Sequence, residues 1–364
     1  VSSKLESITQ PQSYSRNGQN YLINRFYAHN IPDGKTVYDM FDYKLRTAQI
    51  TNERGEVLFT QDNVEVPKDW SEVPATNIVA SKYFRRKGVP LDKGGGKDGS
   101  EQSVKGLVHR VAHTITTFGE ERKYFTTKNE ASAFEDELTY ILLSQRAAFN
   151  SPVWFNVGLF HDYGILEKTD EPSYYWDPTT ESVREIFDSY SHPQASACFI
   201  NSVEDKLLGP HSIYDLAKTE GKLFKYGSGS GTNWSPVRGE GEEMSGGGES
   251  SGTISFMGIM DSGARAIKSG GKTRRAAKMV ILNADHPDVE SFIYWKVHGE
   301  RKARALAAAG YDMDIDALYR EIDGQNSNNS IRITDEFMRN VLENKDWSLI
   351  GRKSGQALKT VKAK

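Results

Sequence analysis

The sequence is poorest in cysteine: Cys198 stands alone among 364 residues. That scarcity excludes a disulfide framework and a thiolate metal site built within the chain. A lone cysteine is either a small buried apolar residue or a thiol that works alone or with a partner elsewhere. Taken by itself, the buried reading is the default. Long apolar runs are missing as well. Mean hydropathy is −0.60, and no stretch approaches the roughly 18 apolar residues of a membrane span, so no membrane partner is expected. The start, Val1-Ser2-Ser3-Lys4-Leu5, lacks a signal peptide's apolar core, which makes a reducing, cytoplasmic setting the expectation. An excess of one charge is absent too. Against 49 acidic side chains stand 46 basic ones, leaving −3, so neither a polyanion-binding tail nor a nucleic-acid polymer partner is indicated.

Several catalytic signatures are also lacking. The eight histidines include no His-Glu-x-x-His pair, and no Gly-x-Ser-x-Gly elbow occurs. His109 and His113 are spaced i, i+4 but have no evident companion ligand, so no metal site is expected. No internal repeat of about 20 to 50 residues is visible.

What is present points to a folded chain. Six Trp, 17 Tyr and 16 Phe argue against disorder, and 364 residues suffice for two or three structural units. Residues 1–35 are polar and aperiodic and read as an arm. Residues 43–50 and 56–59 are β-rich and flank the turn residues Asn52-Glu53-Arg54-Gly55, which predicts a hairpin. Lys93-Gly94-Gly95-Gly96-Lys97-Asp98-Gly99-Ser100 reads as a flexible linker. Helical spacing appears at Phe134, Leu138, Ile141 and Leu142, and again at Phe256, Ile259, Met260, Gly263, Ala264 and Ile267. A short apolar strand follows at Met279-Val280-Ile281-Leu282. Then comes a helix entry at Asp285-His286-Pro287-Asp288, with Val289, Phe292 and Ile293 expected on one face. Helix, loop, strand and helix with short connections indicate α/β architecture. Residues 353–364 form a basic stretch without an obvious capping element.

Three glycine-rich segments carry the densest chemistry. In Lys225-Tyr226-Gly227-Ser228-Gly229-Ser230-Gly231-Thr232-Asn233-Trp234, alternate glycines let backbone approach a ligand and expose N–H groups to an anion; the competing reading is a flexible connector. Thr232 replaces the third glycine of the dinucleotide fingerprint. The run Ser245-Gly246-Gly247-Gly248-Glu249-Ser250-Ser251-Gly252 reads as a mobile loop. Lys268-Ser269-Gly270-Gly271-Lys272-Thr273-Arg274-Arg275-Ala276-Ala277-Lys278 places five cations in eleven residues, suited to a polyphosphate or to a solvated turn. Residues 266–273 nearly match a P-loop, but a helix precedes them and a strand follows, the reverse of what phosphate binding needs.

In this order the segments resemble the large catalytic chain of ribonucleotide reductases, most closely the class II, adenosylcobalamin-dependent branch. The resemblance rests on Val64-Glu65-Val66-Pro67-Lys68-Asp69-Trp70-Ser71 with residues 76–85, on Phe149-Asn150-Ser151-Pro152-Val153-Trp154-Phe155-Asn156-Val157-Gly158, and on Ala197-Cys198-Phe199. It extends through residues 224–234 and 268–282. It implies an amino-terminal region followed by the first half of a ten-stranded α/β barrel. The corresponding divisions are an arm and hairpin over 1–92, a linker and helical region over 93–150, and the half-barrel with specificity loops over 151–364.

The implied activity is vitamin B12-dependent ribonucleoside-diphosphate reduction. A thiyl radical removes the ribose 3′-hydrogen, the 2′-hydroxyl leaves as water, and two cysteines supply electrons; adenosylcobalamin generates the radical. By the same resemblance Cys198 matches the first reducing cysteine, and Ser151, Pro152, Ala197 and Gly229 line the substrate. Asp205 matches the ribose contact of a dNTP effector, Arg238 an effector-phosphate contact, and Lys272 and Arg274 lie in the specificity loop. The family's radical cysteine and second reducing cysteine have no counterpart among these residues. The chain is therefore expected to be the amino-terminal portion of a split or truncated reductase. It would need a carboxy-terminal reductase polypeptide and a thioredoxin- or glutaredoxin-type reductant. A half-barrel with an open sheet edge would also self-associate into a homo-oligomer. The alternatives are a non-catalytic nucleotide-binding regulatory protein and a P-loop NTPase.

Overall fold

The computed structural model describes residues 23–51, 55–269, 274–311, 322 and 324–364. The chain divides into two compact units, residues 1–149 with 157–192, and residues 150–156 with 193–364. Among the described residues no helix is long and apolar enough to cross a membrane.

In the first unit, β1 (Tyr43–Thr51) and β2 (Val57–Pro67) form the expected antiparallel hairpin, with Tyr43 opposite Pro67 and Ile50 opposite Phe59. The turn residues 52–54 lie outside the described residues. Two helices follow, α1 (Val104–Glu121) and α2 (Lys128–Leu143). The Ser103 hydroxyl caps α1 by accepting from Lys105 N–H. Buried Val104, Leu107, Val108 and Val111 give α1 the i, i+3, i+4, i+7 stripe of a packed helix. Thr127 and Glu130 close a reciprocal capping box on α2, which bears the predicted apolar spacing from Phe134. Strands β3 (Lys168–Asp177) and β4 (Ser182–Asp188) complete this unit as an antiparallel pair.

One expectation fails in this unit. The 93–100 segment is not a flexible linker. Gly96 N–H donates to Ser100 O and Val89 N–H to Gly99 O, and a side-chain carbon on Gly95 would sit 2.3 Å from Val89 O. Its glycines permit close backbone packing rather than freedom. The described end of the arm is held by the unit: Arg25 pairs with Asp136, and the N–H groups of Phe26, Tyr27 and Ala28 converge on the Glu137 carboxylate.

The second unit holds a parallel sheet. Its elements are α3 (Ser151–Asn156), β5 (Cys198–Asn201), α4 (Ile213–Lys225), β6 (Gly229–Asn233), β7 (Glu240–Glu243), β8 (Glu249–Ser251), α5 (Gly252–Ala266), β9 (Lys268–Ser269), β10 (Arg274–Arg275), β11 (Lys278–Asn283), α6 (Val289–Ala308), β12 (Ser327–Arg332), α7 (Asp335–Leu342), β13 (Asp346–Ile350) and β14 (Ala357–Lys362). Strands β12-β11-β6-β5 lie in that order, all neighbours parallel. Helical crossovers supply the connections that parallel neighbours require. One face is covered: Val280 and Leu282 of β11 pack with Ile213 and Leu216 of α4 and with Met257 and Met260 of α5. The α/β class is as expected; among the described residues the sheet has four strands and does not close.

Details depart from expectation where long-range pairing overrides composition. The run from Ser245 is not a mobile loop but the turn and second strand of the β7–β8 hairpin, closed by Met244 N–H to Gly248 O at 2.6 Å. The basic stretch at 353–364 contains β14, which pairs with β13. On α6, Val289 and Phe292 are buried whereas Ile293 is exposed.

Candidate functional site

Cys198, Gly229, Lys278 and Ser327 each open a strand of the parallel sheet, so they lie along one edge. Cys198 is a free, exposed thiol, which overturns the buried default for a lone cysteine. Register pairs it with Gly229, whose N–H donates to Ala197 O at 2.7 Å. A side-chain carbon on Gly229 would fall 2.8 Å from Cys198 Sγ and 3.2 Å from Ala277 O. The glycine is therefore required by the thiol. Ala197, Cys198 and Gly229 are brought together, as the sequence reading grouped them.

The glycine-rich run over 225–234 is neither a flexible connector nor an anion cradle along its length. It becomes β6, a central strand whose amides enter the ladder, including Ser230 N–H to Ala277 O and Trp234 N–H to Ile281 O. Ser151 and Pro152 open α3, with Pro152 buried. Asn156 at the end of that helix donates from Nδ2 to Gln194 O at 2.8 Å and Tyr226 O at 3.0 Å. This ties α3 to both segments that lead into the thiol edge.

Asp205 and Arg238 lie beyond the other ends of β5 and β6, and they meet. Arg238 Nε donates to Asp205 Oδ2 at 2.5 Å. Arg238 Nη1 and Lys353 Nζ both donate to Glu243 O, at 3.3 and 3.2 Å. Behind them, His286 Nε2 donates to Val237 O at 2.8 Å while its Nδ1 accepts from Asp288 N–H at 3.0 Å. Burial holds this imidazole below its ordinary range, matching the neutral tautomer those two bonds need. Asp288 accepts from Glu240 N–H, Thr253 N–H and Thr253 Oγ1. Asp285 receives two bonds from Arg352. Sequence reasoning took residues 285–288 only as a helix entry. Their partners lie tens of residues away, so no local signal could have revealed the network.

Of the basic loop, Lys272 lies outside the described residues. Arg274 belongs to β10, where its backbone pairs with Ser269 in β9. Lys278, counted above among the phosphate-suited cations, is instead buried against Glu220, Nζ to Oε2 at 3.2 Å. A helix (α5) precedes the loop and a strand (β11) follows it, so the P-loop order is absent. In the first unit, His109 and His113 both face Glu135, at 3.9 and 3.2 Å. Among the described residues no group of three or more His, Cys, Asp or Glu could hold a metal ion.

Comparison with known families gives two matches. A model described as "Class II vitamin B12-dependent ribonucleotide reductase" covers residues 44–145, and "Ribonucleotide reductase, barrel domain" covers residues 196–364. Curated relatives named vitamin B12-dependent ribonucleotide reductase include one from Agrobacterium fabrum, 37% identical over 91% of this chain and 33% of its own length. Another from Rhodopirellula baltica is 44% identical over 86% of this chain and 29% of its own length. A third, from Streptomyces coelicolor, is 43% identical over 92% of this chain and 31% of its own length. The chain thus spans about a third of the length of the curated relatives it matches.

Proposed function

Because the chain belongs to the class II, vitamin B12-dependent ribonucleotide reductases, we propose that it takes part in reducing ribonucleotides, with Cys198 as one of two reducing thiols. The observation that carries this reading is the exposed Cys198 Sγ lodged against Gly229, in an edge where a side chain is excluded. In the proposed chemistry two thiols become a disulfide, giving up two electrons and two protons. The ribose 2′ carbon exchanges its hydroxyl for hydrogen and water leaves. An external dithiol of the thioredoxin or glutaredoxin type restores the pair by exchange, which an exposed sulfur permits. The thiyl-radical cysteine and the second reducing cysteine come from polypeptide outside these 364 residues, since Cys198 is the single cysteine here.

The four parallel strands form part of the family's ten-stranded barrel. Edge strand β5, with Ile200 98% exposed, is where further strands or a second copy of the chain would add. Ser151, Pro152, Ala197 and Gly229 border the substrate. At the opposite end Asp205 takes the ribose hydroxyl of a dNTP effector, Arg238 its phosphate, and Lys272 and Arg274 relay its identity. Adenosylcobalamin supplies radical initiation when bound. The cavity of about 430 Å³ along α6, lined by Lys296, Glu300, Arg301 and Arg304, does not offer the broad apolar surface that a corrin requires. No residue here is assigned to the cofactor.

The test is reconstitution: this chain, a cysteine-bearing carboxy-terminal reductase polypeptide, adenosylcobalamin, a dithiol and a ribonucleotide. Deoxyribonucleotide should form, and Cys198→Ser should abolish it. Absence of turnover with dNTP binding intact would sink the reductase reading and leave a nucleotide-binding regulator.

A further inference from the structure

Two opposite charges are buried in the covered face of the sheet. Lys278 opens β11 on the same side as Val280 and Leu282, its side chain 0% exposed, against Glu220 of α4 at 4%. Desolvation pushes the Lys278 ammonium below its ordinary range, with Glu220 opposing that shift. An apolar pair of similar volume would serve packing as well or better, because the desolvation of two ions usually offsets their attraction. The pair is better explained by what it fastens.

Glu220 Oε2 takes the Lys278 ammonium, while Oε1 accepts from Ser230 Oγ at 2.9 Å. The Ser230 hydroxyl in turn accepts from Asn201 Nδ2 at 2.9 Å. One carboxylate therefore fastens α4 to β11, to β6, and through Asn201 to β5. The fastened residues adjoin the thiol edge: Ser230 follows Gly229, and Lys278 follows Ala277. A side-chain carbon at Gly229 would lie 2.8 Å from Cys198 Sγ and 3.2 Å from Ala277 O, so Gly229 adjoins both, and Ser230 N–H donates to that carbonyl. The alternating burial of β5 and β6 puts Asn201 and Ser230 on the covered face and Cys198 on the other. The clamp thus acts on the sulfur through backbone, without touching it.

We propose that Glu220 and Lys278 are positioning residues for Cys198, a buried carboxylate–ammonium clamp that fixes the Gly229 backbone against the thiol. Its purpose rests on the reading of Cys198 as a reducing thiol, but its test does not. With one cysteine in the chain, iodoacetamide labelling of the intact protein reads this sulfur alone and needs no turnover. In Glu220→Gln/Lys278→Met, which removes both charges together, the Gly229 backbone should loosen from the thiol and leave Sγ more open to the reagent. Its alkylation should quicken by about threefold or more, because access of the reagent limits a thiol held against backbone. Lys278→Arg, which keeps the pair, should stay near the wild-type rate. Met257→Ala, a destabilising change in the core of the same unit, should leave the rate unmoved. If the double variant fails to fold, Glu220→Gln alone should shift the rate in the same direction. A wild-type rate in the clamp variants would overturn the proposal, as would an equal change in Met257→Ala. Failed ribonucleotide reduction would leave these rates untouched, and unchanged rates would leave the reduction reading untouched.

Discussion

The two ends of the parallel sheet are assembled by different forces. At the starting edge, Cys198 meets Gly229 through strand register and through the absence of a side chain. At the finishing edge, Asp205 meets Arg238 through a charged hydrogen bond of 2.5 Å. Strand β5, four residues long, separates the two edges by only about 13 Å. Open α/β sheets ordinarily take ligands beyond their carboxyl ends, so the finishing edge is where a nucleotide would be sought on fold grounds alone. The starting edge is nominated by chemistry, as the place of the lone thiol. The contrast teaches that this sheet presents an exposed thiol at one edge and an ion pair at the other, joined by very short strands.

The sharpest break of the comparison is Cys198→Ser. Turnover of the reconstituted enzyme should fall to background while dNTP binding, measured by calorimetry, stays at wild type. Loss of both together would mean that the edges are not separable. Next in size, Lys278→Met leaves Glu220 buried without its ammonium and should destabilise the protein by about 3–5 kcal/mol in urea unfolding. Asp205→Ala and Arg238→Ala should each weaken dNTP binding by roughly 10- to 100-fold, the worth of a charge-assisted hydrogen bond, and leave Cys198 alkylation unchanged. Gly229→Ala forces a carbon to 2.8 Å from Sγ, and an overpacked site of this kind costs about 1–3 kcal/mol. Its alkylation should slow without altering nucleotide affinity.

The smallest effect concerns pH and the finishing edge. Burial depresses the His286 value in the folded state, so the unfolded chain binds a proton that the fold refuses. Stability from this residue is present above the unfolded value of about 6.5 and is lost progressively as pH falls from there through the lower folded-state value. His286→Gln should flatten that part of the pH–stability curve in thermal unfolding. A curve equally steep without the histidine would remove it from the account.

Much of the local structure was legible. The hairpin at 43–67, the helix bearing Phe134, and the helix–loop–strand order around 252–283 follow from period and turn chemistry acting over a few residues. Glycine was read less well. At Gly95 and Gly229 the missing side chain serves close packing, and at Gly247 it serves a positive φ in a hairpin turn, whereas composition alone suggested freedom. Lys278 was grouped with its basic neighbours because adjacent charges look alike in a sequence, although alternation along β11 turns it into the covered face. The resemblance grouped Ala197, Cys198 and Gly229, and the geometry supplied the reason for the grouping.

By itself the sequence determined that the single thiol has no cysteine partner among these 364 residues, that the chain is α/β, and to which family its segments belong. Those properties depend on residue counts, local periodicity and short motifs. Tertiary structure alone decided that Asp205 pairs with Arg238, 33 residues away, and that Glu220 pairs with Lys278, 58 residues away. Charges choose partners by distance in space, and that distance is set only once the crossovers have laid the strands side by side.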